Sequence, residues 1–192
     1  MSGTSVTVVE NNPVITVSGD TVDVAVTETT VAVIDAPYMK YGAFQYTGSQ
    51  AITSTTSAFA MPWNTTDFSS DVYVANTSRI YFPTAGLYNL QWSGQFQNTA
   101  NTQEDINVWL RINGTDVAGS NGLISINARK SANDYGHEII GWNYFLRLTA
   151  GQYVEFIWSA TSTSVSLESY SAGTNPTRPT TAALILTAQQ VA

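Results

Sequence analysis

The sequence predicts an all-β protein whose main part is a two-sheet antiparallel jelly roll, and three observations predict it. Residues 78–96, SRIYFPTAGLYNLQWSGQF, contain two strand-like runs separated by a Pro/Gly turn, and the second run alternates strictly between apolar and polar residues. No window has apolar residues spaced every 3.6 positions over the length of a helix. Further runs of strand length follow between turn-forming residues, with the number and spacing of a jelly roll. A short N-terminal β-rich segment precedes this domain.

The strand predicted from Gly86 to Gln97 has two chemically different faces. One face is apolar and consists of Tyr88, Leu90, Trp92 and Phe96. The other face is polar and consists of Asn89, Gln91, Ser93 and Gln95. Because this polar face is built from amides and hydroxyls instead of Lys and Glu, it does little to repel another chain. We therefore expect it to form a buried, hydrogen-bonded contact between subunits.

Residues 37–192 are predicted to form the jelly-roll domain. Turn residues punctuate it, notably Asn113-Gly114-Thr115-Asp116, Thr149-Ala150-Gly151 and the proline-containing stretch 171–181. The predicted strands are 39–46, 72–74, 79–82, 86–97, 105–112, 122–127, 138–148, 153–159, 164–170 and 182–189. Four tryptophans lie on these strands and are expected to belong to the core: Trp92, Trp109, Trp142 and Trp158.

Residues 1–36 are predicted to form a separate N-terminal segment. Its apolar runs begin at Val6, Val14, Val22 and Val31, and turn-forming residues separate them. This spacing predicts four short strands within residues 4–35, which are too short to build a core of their own. We expect the segment to be an anchor that pairs with copies of itself or with a host structure. The alternative is a disordered acidic tail, which the density of β-branched residues disfavours.

The composition argues against several classes of function. Only 11% of the 192 residues are charged, well under the roughly 25% typical of soluble domains, and the net charge is −7. No basic patch is available to neutralise phosphates, so we expect no nucleic-acid partner. The absence of cysteine excludes disulfides and thiolate metal sites. No apolar stretch approaches the ~20 residues of a membrane span and no secretory-signal pattern is present, so we expect no membrane partner.

Four segments of the domain resemble one known family in order and spacing. PTAGLYNLQWSGQF, INVWLRINGTDV, YFLRLTAGQYVEFIWS and AALILTAQQVA are similar to strands of the tumour-necrosis-factor-like jelly roll, which also forms the globular heads of the first complement component. Together these segments cover most of the domain. With the Thr/Val-rich segment before it, the domain more narrowly resembles virion structural proteins of tailed bacteriophages. That resemblance implies a homotrimer.

The resemblance implies a structural role without enzymatic activity. We expect a decoration or fibre protein on the virion surface, anchored to capsid or tail proteins through residues 4–35. The threefold contact is expected to use the face that carries Gln91, Phe145 and Ile185. No cofactor and no metal ion are assigned to the chain.

Two functions of other classes stay open. The first is an adhesin of the tail-fibre type that binds host surface glycan through loops. Its candidate contacts are Trp63, Asn101, Asp105 and His137. The second, less favoured, is a polysaccharide-degrading enzyme, although no Gly-x-Ser-x-Gly motif accompanies the single histidine and no carboxylate pair is marked by the sequence. The loop of residues 98–105 is rich in oxygen atoms and is a candidate calcium site, without EF-hand spacing.

Overall fold

The computed structural model describes residues 39–192, and every regular element in this part of the chain is a β-strand. The N-terminal segment predicted for residues 1–36 lies outside the described residues. The strands are β1 Tyr41–Tyr46, β2 Gln50–Ala51, β3 Phe59–Ala60, β4 Thr65–Ser70, β5 Tyr73–Ala75, β6 Arg79–Phe82, β7 Gly86–Asn98, β8 Glu104–Ile112, β9 Thr115–Asp116, β10 Gly122–Ile126, β11 Gly136–Leu148, β12 Gln152–Ala160, β13 Val165–Leu167, β14 Gly173–Thr174, β15 Thr177–Arg178 and β16 Leu184–Gln190. The predicted all-β, two-sheet antiparallel, jelly-roll-like fold is confirmed.

Two sheets of seven strands each form the domain. In sheet I, β7 pairs with β11 along one edge and with β16 and β13 along the other. Strands β1 and then β4 extend this sheet beyond β16, and β2 pairs with β13. Sheet II has the order β10-β8-β12-β6-β5, with β3 paired to β12 and β9 paired to β8. A separate two-stranded ribbon consists of β14 and β15.

The alternation of β7 builds the core as predicted. Its apolar side chains are buried and face sheet II, where the Trp92 ring stacks on Phe156 at 5.7 Å between centroids. The Phe96 ring meets Trp158 edge-on at 5.4 Å. Both contacts are inter-sheet pairs of the kind that add to the free energy of apolar burial. The hydrophobic pattern therefore fixes which face of each sheet points inward.

The predicted Asn-Gly hairpin is confirmed between β8 and β9. Asn113 and Gly114 both have positive φ, 48° and 82°, which a two-residue hairpin turn of the favoured twist requires. The Asn113 side chain also accepts a hydrogen bond from the Tyr153 backbone N–H at 2.9 Å. The turn is thus joined to the neighbouring strand β12.

The structure differs from the predictions in several places, and the two-residue strands β2, β3, β9, β14 and β15 were also not predicted. Strand β4, Thr65–Ser70, was not predicted, and it pairs with β1 across a bulge. The strand predicted for 164–170 is reduced to β13, Val165–Leu167. Trp109 was predicted to be core, but Val108 and Leu110 take the inward positions of β8, so Trp109 points outward and is only partly buried.

Candidate functional site

The outward side of sheet I presents a continuous polar and apolar surface, which we call the amide face. Directly paired residues of an antiparallel sheet project to the same side, so the register of the strands defines its members. They are Asn89, Gln91, Ser93 and Gln95 of β7, Ile139, Asn143 and Phe145 of β11, and Ile185, Thr187 and Gln189 of β16. The face is therefore three adjacent strands wide.

The structure brings the three predicted interface residues together on this face. Gln91 lies in the middle, paired with Asn143 on one side and with Thr187 on the other. Phe145 is paired with Asn89, and Ile185 is paired with Ser93, both on neighbouring rows. Three residues that are far apart in the sequence thus occupy one surface on three neighbouring strands.

Histidine and charged side chains lie only at the two ends of the amide face. On β11 the outward positions run from His137 at one end to Arg147 at the other. Between these two residues, the outward positions of β11, β7 and β16 hold no Asp, Glu, Lys or Arg. Burying this surface would therefore not require the removal of water from a charge, which is the costly part of burying polar protein surface.

Large apolar side chains flank the row of amides and are exposed in the single chain. Ile139 is 74% exposed and Phe145 is 60% exposed on β11, while Ile185 is 48% exposed on β16. Ile139 and Ile185 line one shallow depression together with Ser93 and Gln95, and Phe145 lies six positions further along β11 on the same face. Exposed large apolar side chains gathered on one face are a feature of interaction surfaces.

Several amides of this face have no hydrogen-bond partner within the described chain. The side chains of Gln91, Asn143 and Gln189 make no hydrogen bond to residues 39–192. The oxygen Oδ1 of Asn89 is buried and has no partner either. Gln91 and Asn143 are exposed and can bond to water in the single chain, so a surface that covers them must supply hydrogen-bond partners, because a polar group buried without one costs roughly 1–3 kcal/mol.

A groove extends the amide face toward β1 and β4. Its volume is about 480 Å³, and its walls are Tyr41, Gly42, Phe68, Thr187, Ala188 and Gln189. The Tyr41 and Phe68 rings meet edge-on with 6.1 Å between centroids, and Phe68 is largely exposed. Sequence reasoning missed Phe68 because β4 was not predicted. The amide face thus has exposed apolar side chains on β11 and an apolar groove at its opposite side.

His137 lies at one end of the face in a cluster of titratable groups that the sequence did not indicate. Tyr170 donates a hydrogen bond to the carboxylate of Glu168, and its hydroxyl lies 3.1 Å from His137 Nδ1. Burial raises the pKa of Glu168, although Tyr170 and His137 act in the opposite direction. Burial and the Glu168 carboxylate together raise the pKa of Tyr170 well above its ordinary value. The register of β11 against β7 brings His137 beside this pair.

The other predicted ligand residues do not gather around His137. Asp105 lies on β8 of sheet II, where it accepts a hydrogen bond from Ser125 Oγ at 2.6 Å. Asn101 is exposed in the loop between β7 and β8. Within residues 39–192, no group of three or more His, Asp or Glu side chains is placed to share a metal ion.

Trp63 is a candidate glycan contact by sequence, with packing onto its own domain as the favoured alternative, and the structure buries it. The residue is only 4% exposed, and its ring meets Phe156 edge-on with 6.1 Å between centroids. Its backbone N–H donates to the carbonyl of Thr77 at 2.7 Å, which ties the loop to the domain. A buried indole cannot stack on a sugar, so Trp63 belongs to the core.

Comparison of the chain with family models and with curated proteins finds no match. No helix capable of spanning a membrane occurs in the part of the chain that the structure describes.

Proposed function

We propose that the chain is a virion structural protein of a tailed bacteriophage, a homotrimer displayed on the particle surface. The observation that carries the proposal is the amide face, which is uncharged, partly apolar and rich in unpaired amides. The core of a protein interface is depleted in charged residues and supplies hydrogen-bond partners for the polar groups that it buries. The amide face meets both requirements, and a second copy of the chain has the matching groups.

The arrangement of the face supports a ring of three subunits in particular. Closed rings larger than a dimer join two different patches, one from each neighbour. The exposed Phe145 projects from β11, and the groove beside Tyr41 and Phe68 lies across the row of amides. In the proposed trimer, Phe145 of one subunit packs into the groove of the next. The amides between them then bond to one another about the threefold axis.

The placement on a virion rests on the resemblance of the sequence and on its composition. Low charge and high Thr, Ser, Asn and Gln content suit a protein that is held in an assembly. Residues 4–35 would attach the trimer to other capsid or tail proteins by strand pairing. Three such anchors on one trimer hold by multivalency, because the release of one leaves two attached.

The absence of cysteine allows the interface to be tested by chemical labelling. Gln91→Cys places a thiol in the middle of the amide face, and Leu123→Cys places one on the outer face of sheet II, where Leu123 is 66% exposed. In concentrated protein, where the trimer forms, we expect a maleimide reagent to label Gln91→Cys at least about tenfold more slowly than Leu123→Cys. After dilution below the dissociation constant, the two rates should become similar. Equal labelling rates at all concentrations would show that the amide face is not an interface.

The virion assignment has its own test. Particles of a phage whose genome encodes this chain are purified and their proteins identified by mass spectrometry. The proposal requires the chain to be present in particles in a fixed ratio to the major structural proteins. Its absence from washed particles would reject the virion role and leave the trimer to be judged separately.

A further inference from the structure

The outer face of sheet II carries a depression that the proposed trimer does not use. Its volume is about 450 Å³, and it lies between Asn107 and Trp109 of β8, Ser159 of β12 and residues 116–121. This volume falls within the roughly 300–1,000 Å³ range of small-molecule sites. Because the depression and the amide face belong to different sheets and point in opposite directions, covering one would leave the other open.

An indole ring borders the depression, and its orientation is fixed. Trp109 Nε1 donates a hydrogen bond to Asp116 Oδ1 at 2.9 Å. Ile157 is the direct cross-strand neighbour of Trp109 on the same face and is only 1% exposed. Since such neighbours lie in contact, the indole packs against Ile157 on the sheet side. Its remaining surface lines the depression and is available to an apolar group of a ligand.

Two amides beside the ring offer a donor and an acceptor that the chain does not use. Asn121 Nδ2 donates to Asn107 Oδ1 at 2.9 Å. The Asn107 amide nitrogen and the Asn121 amide oxygen then have no partner among residues 39–192. Ser159, the cross-strand neighbour of Asn107, adds a hydroxyl that is also unpaired within the same residues. The pair of amides and this hydroxyl lie at one side of the depression.

A carboxylate lies at the other side. Asp116 Oδ1 accepts hydrogen bonds from Trp109 and from Arg111 Nε, the latter at 2.7 Å. These two donors hold the pKa of the Asp116 carboxyl below its ordinary value. The group therefore remains ionised, and its second oxygen, Oδ2, is free to accept hydrogen bonds from a ligand.

The loop over the depression is held in place by its own hydrogen bonds. Ser120 is buried, and its Oγ donates to the Val117 carbonyl at 2.8 Å and accepts from the Leu110 N–H at 3.0 Å. The Tyr144 hydroxyl donates to the Ser120 carbonyl at 2.9 Å. A loop that is already ordered loses little conformational entropy on binding. The site therefore has the preformed character of a ligand-binding depression.

We propose that this depression binds one neutral pyranose residue of a glycan, a hexose or an N-acetylhexosamine. The C–H side of a pyranose ring packs on the exposed part of Trp109 and removes apolar surface from water. Adjacent hydroxyls donate to Asp116 and exchange hydrogen bonds with Asn107 and Asn121. A pyranose combines one apolar side with a rim of hydroxyls that both donate and accept, and the depression matches that combination.

Other ring-shaped ligands fit the same groups less well. A nucleotide could also stack on Trp109, but the residues that line the depression include no Lys or Arg to pair with its phosphates, and Asp116 is already paired with Arg111. An acidic sugar would lack the same cationic partner. A neutral sugar needs no such partner, which selects neutral sugars as the ligand class. The site differs from the loop region that the sequence indicated, where Trp63 is buried.

The test uses the full 192-residue chain and four neutral probes. These are the methyl glycosides of glucose, galactose, mannose and N-acetylglucosamine, measured by saturation-transfer NMR and calorimetric titration. A single shallow site predicts saturable binding of at least one probe with a dissociation constant of about 1 mM. Trp109→Ala and Asn121→Ala should each weaken that binding at least about tenfold. Asn133→Ala, an exposed asparagine in the loop before β11, should leave it unchanged.

Thermal unfolding of each variant separates loss of the site from loss of the fold. Asn121→Ala removes an exposed side chain, so it should unfold at the same temperature as the parent chain while losing affinity. Failure of all four probes to bind at about 20 mM would overturn the proposal. Binding that survives both Trp109→Ala and Asn121→Ala in folded protein would overturn it as well. Neither result depends on whether the chain is a trimer.

Discussion

Truncation of Phe145 should weaken the trimer strongly without unfolding the subunit. Phe145 is 60% exposed in the single chain, and complete burial of a Phe side chain contributes about 1.5–3 kcal/mol. Covering the exposed part therefore contributes about 1–2 kcal/mol for each subunit. A closed trimer has three equivalent contacts, so Phe145→Ala removes about 3–5 kcal/mol from the assembled form. That loss corresponds to a trimer association constant lower by roughly 10²–10⁴-fold.

Sedimentation equilibrium over a dilution series measures this effect directly. The matched control is Leu123→Ala, because Leu123 is 66% exposed but lies on the outer face of sheet II. We expect the control to dissociate at the same concentration as the parent chain, and the Phe145→Ala variant to dissociate at a much higher one. Circular dichroism should show that both variants remain folded. If the two variants dissociate alike, the amide face has no special role and the reasoning is refuted.

Three further predictions concern the stability of the domain. Phe156→Ala empties a fully buried site between two tryptophan rings and should cost about 3–5 kcal/mol, which lowers Tm by roughly 6–20 °C in a thermal scan. Gly122→Ala should cost about 1–3 kcal/mol in urea unfolding, because the added Cβ would overlap the Trp142 ring. Glu168→Gln should flatten the pH dependence of the unfolding free energy. Burial raises the pKa of Glu168 in the folded state above its ordinary value of about 4.5. The unfolding free energy of the parent chain therefore falls as the pH rises from about 4.5 through the pKa of the folded state.

Each of these predictions has an outcome that contradicts it. A Phe156→Ala variant that melts within about 2 °C of the parent would contradict the expected loss of at least about 3 kcal/mol. It would mean that neighbouring side chains move in and fill the emptied site. A Gly122→Ala variant as stable as the parent would show that Trp142 can move freely. For Glu168, urea titrations between about pH 4 and pH 8 are compared. If the unfolding free energy changes with pH equally in the parent and in Glu168→Gln, burial of this carboxyl does not govern its protonation.

The elements that could be predicted from sequence are those whose pattern is local. The alternation around Leu90 and Gln91 predicted both the buried and the exposed side of β7, because the period of a strand fixes its two faces. Asn113-Gly114 predicted a hairpin because only a tight turn needs two positive φ angles in succession. The common face of Phe145 and Ile185 followed from the same alternation together with the resemblance.

The elements that were missed depend on pairing between distant parts of the chain. Strand β4 has the sequence TTDFSS, which carries little strand signal, and it forms because β1 offers a partner edge. Phe68 and its groove were missed with it. Trp63 lies in a loop yet is buried, since the loop folds back against Phe156. The contact of His137 with Tyr170 joins segments 33 residues apart, and no local pattern encodes it.

The mass of the protein in solution tests the central claim most directly. The full chain and a chain that begins at residue 37 are compared by light scattering at the same concentration. Three chains of 20.7 kDa give a particle of about 62 kDa, and the account predicts a trimer for both proteins because the amide face belongs to the jelly-roll domain. A mass of 20.7 kDa for the full chain would contradict the trimer. A trimer only when residues 1–36 are present would contradict the role assigned to the amide face.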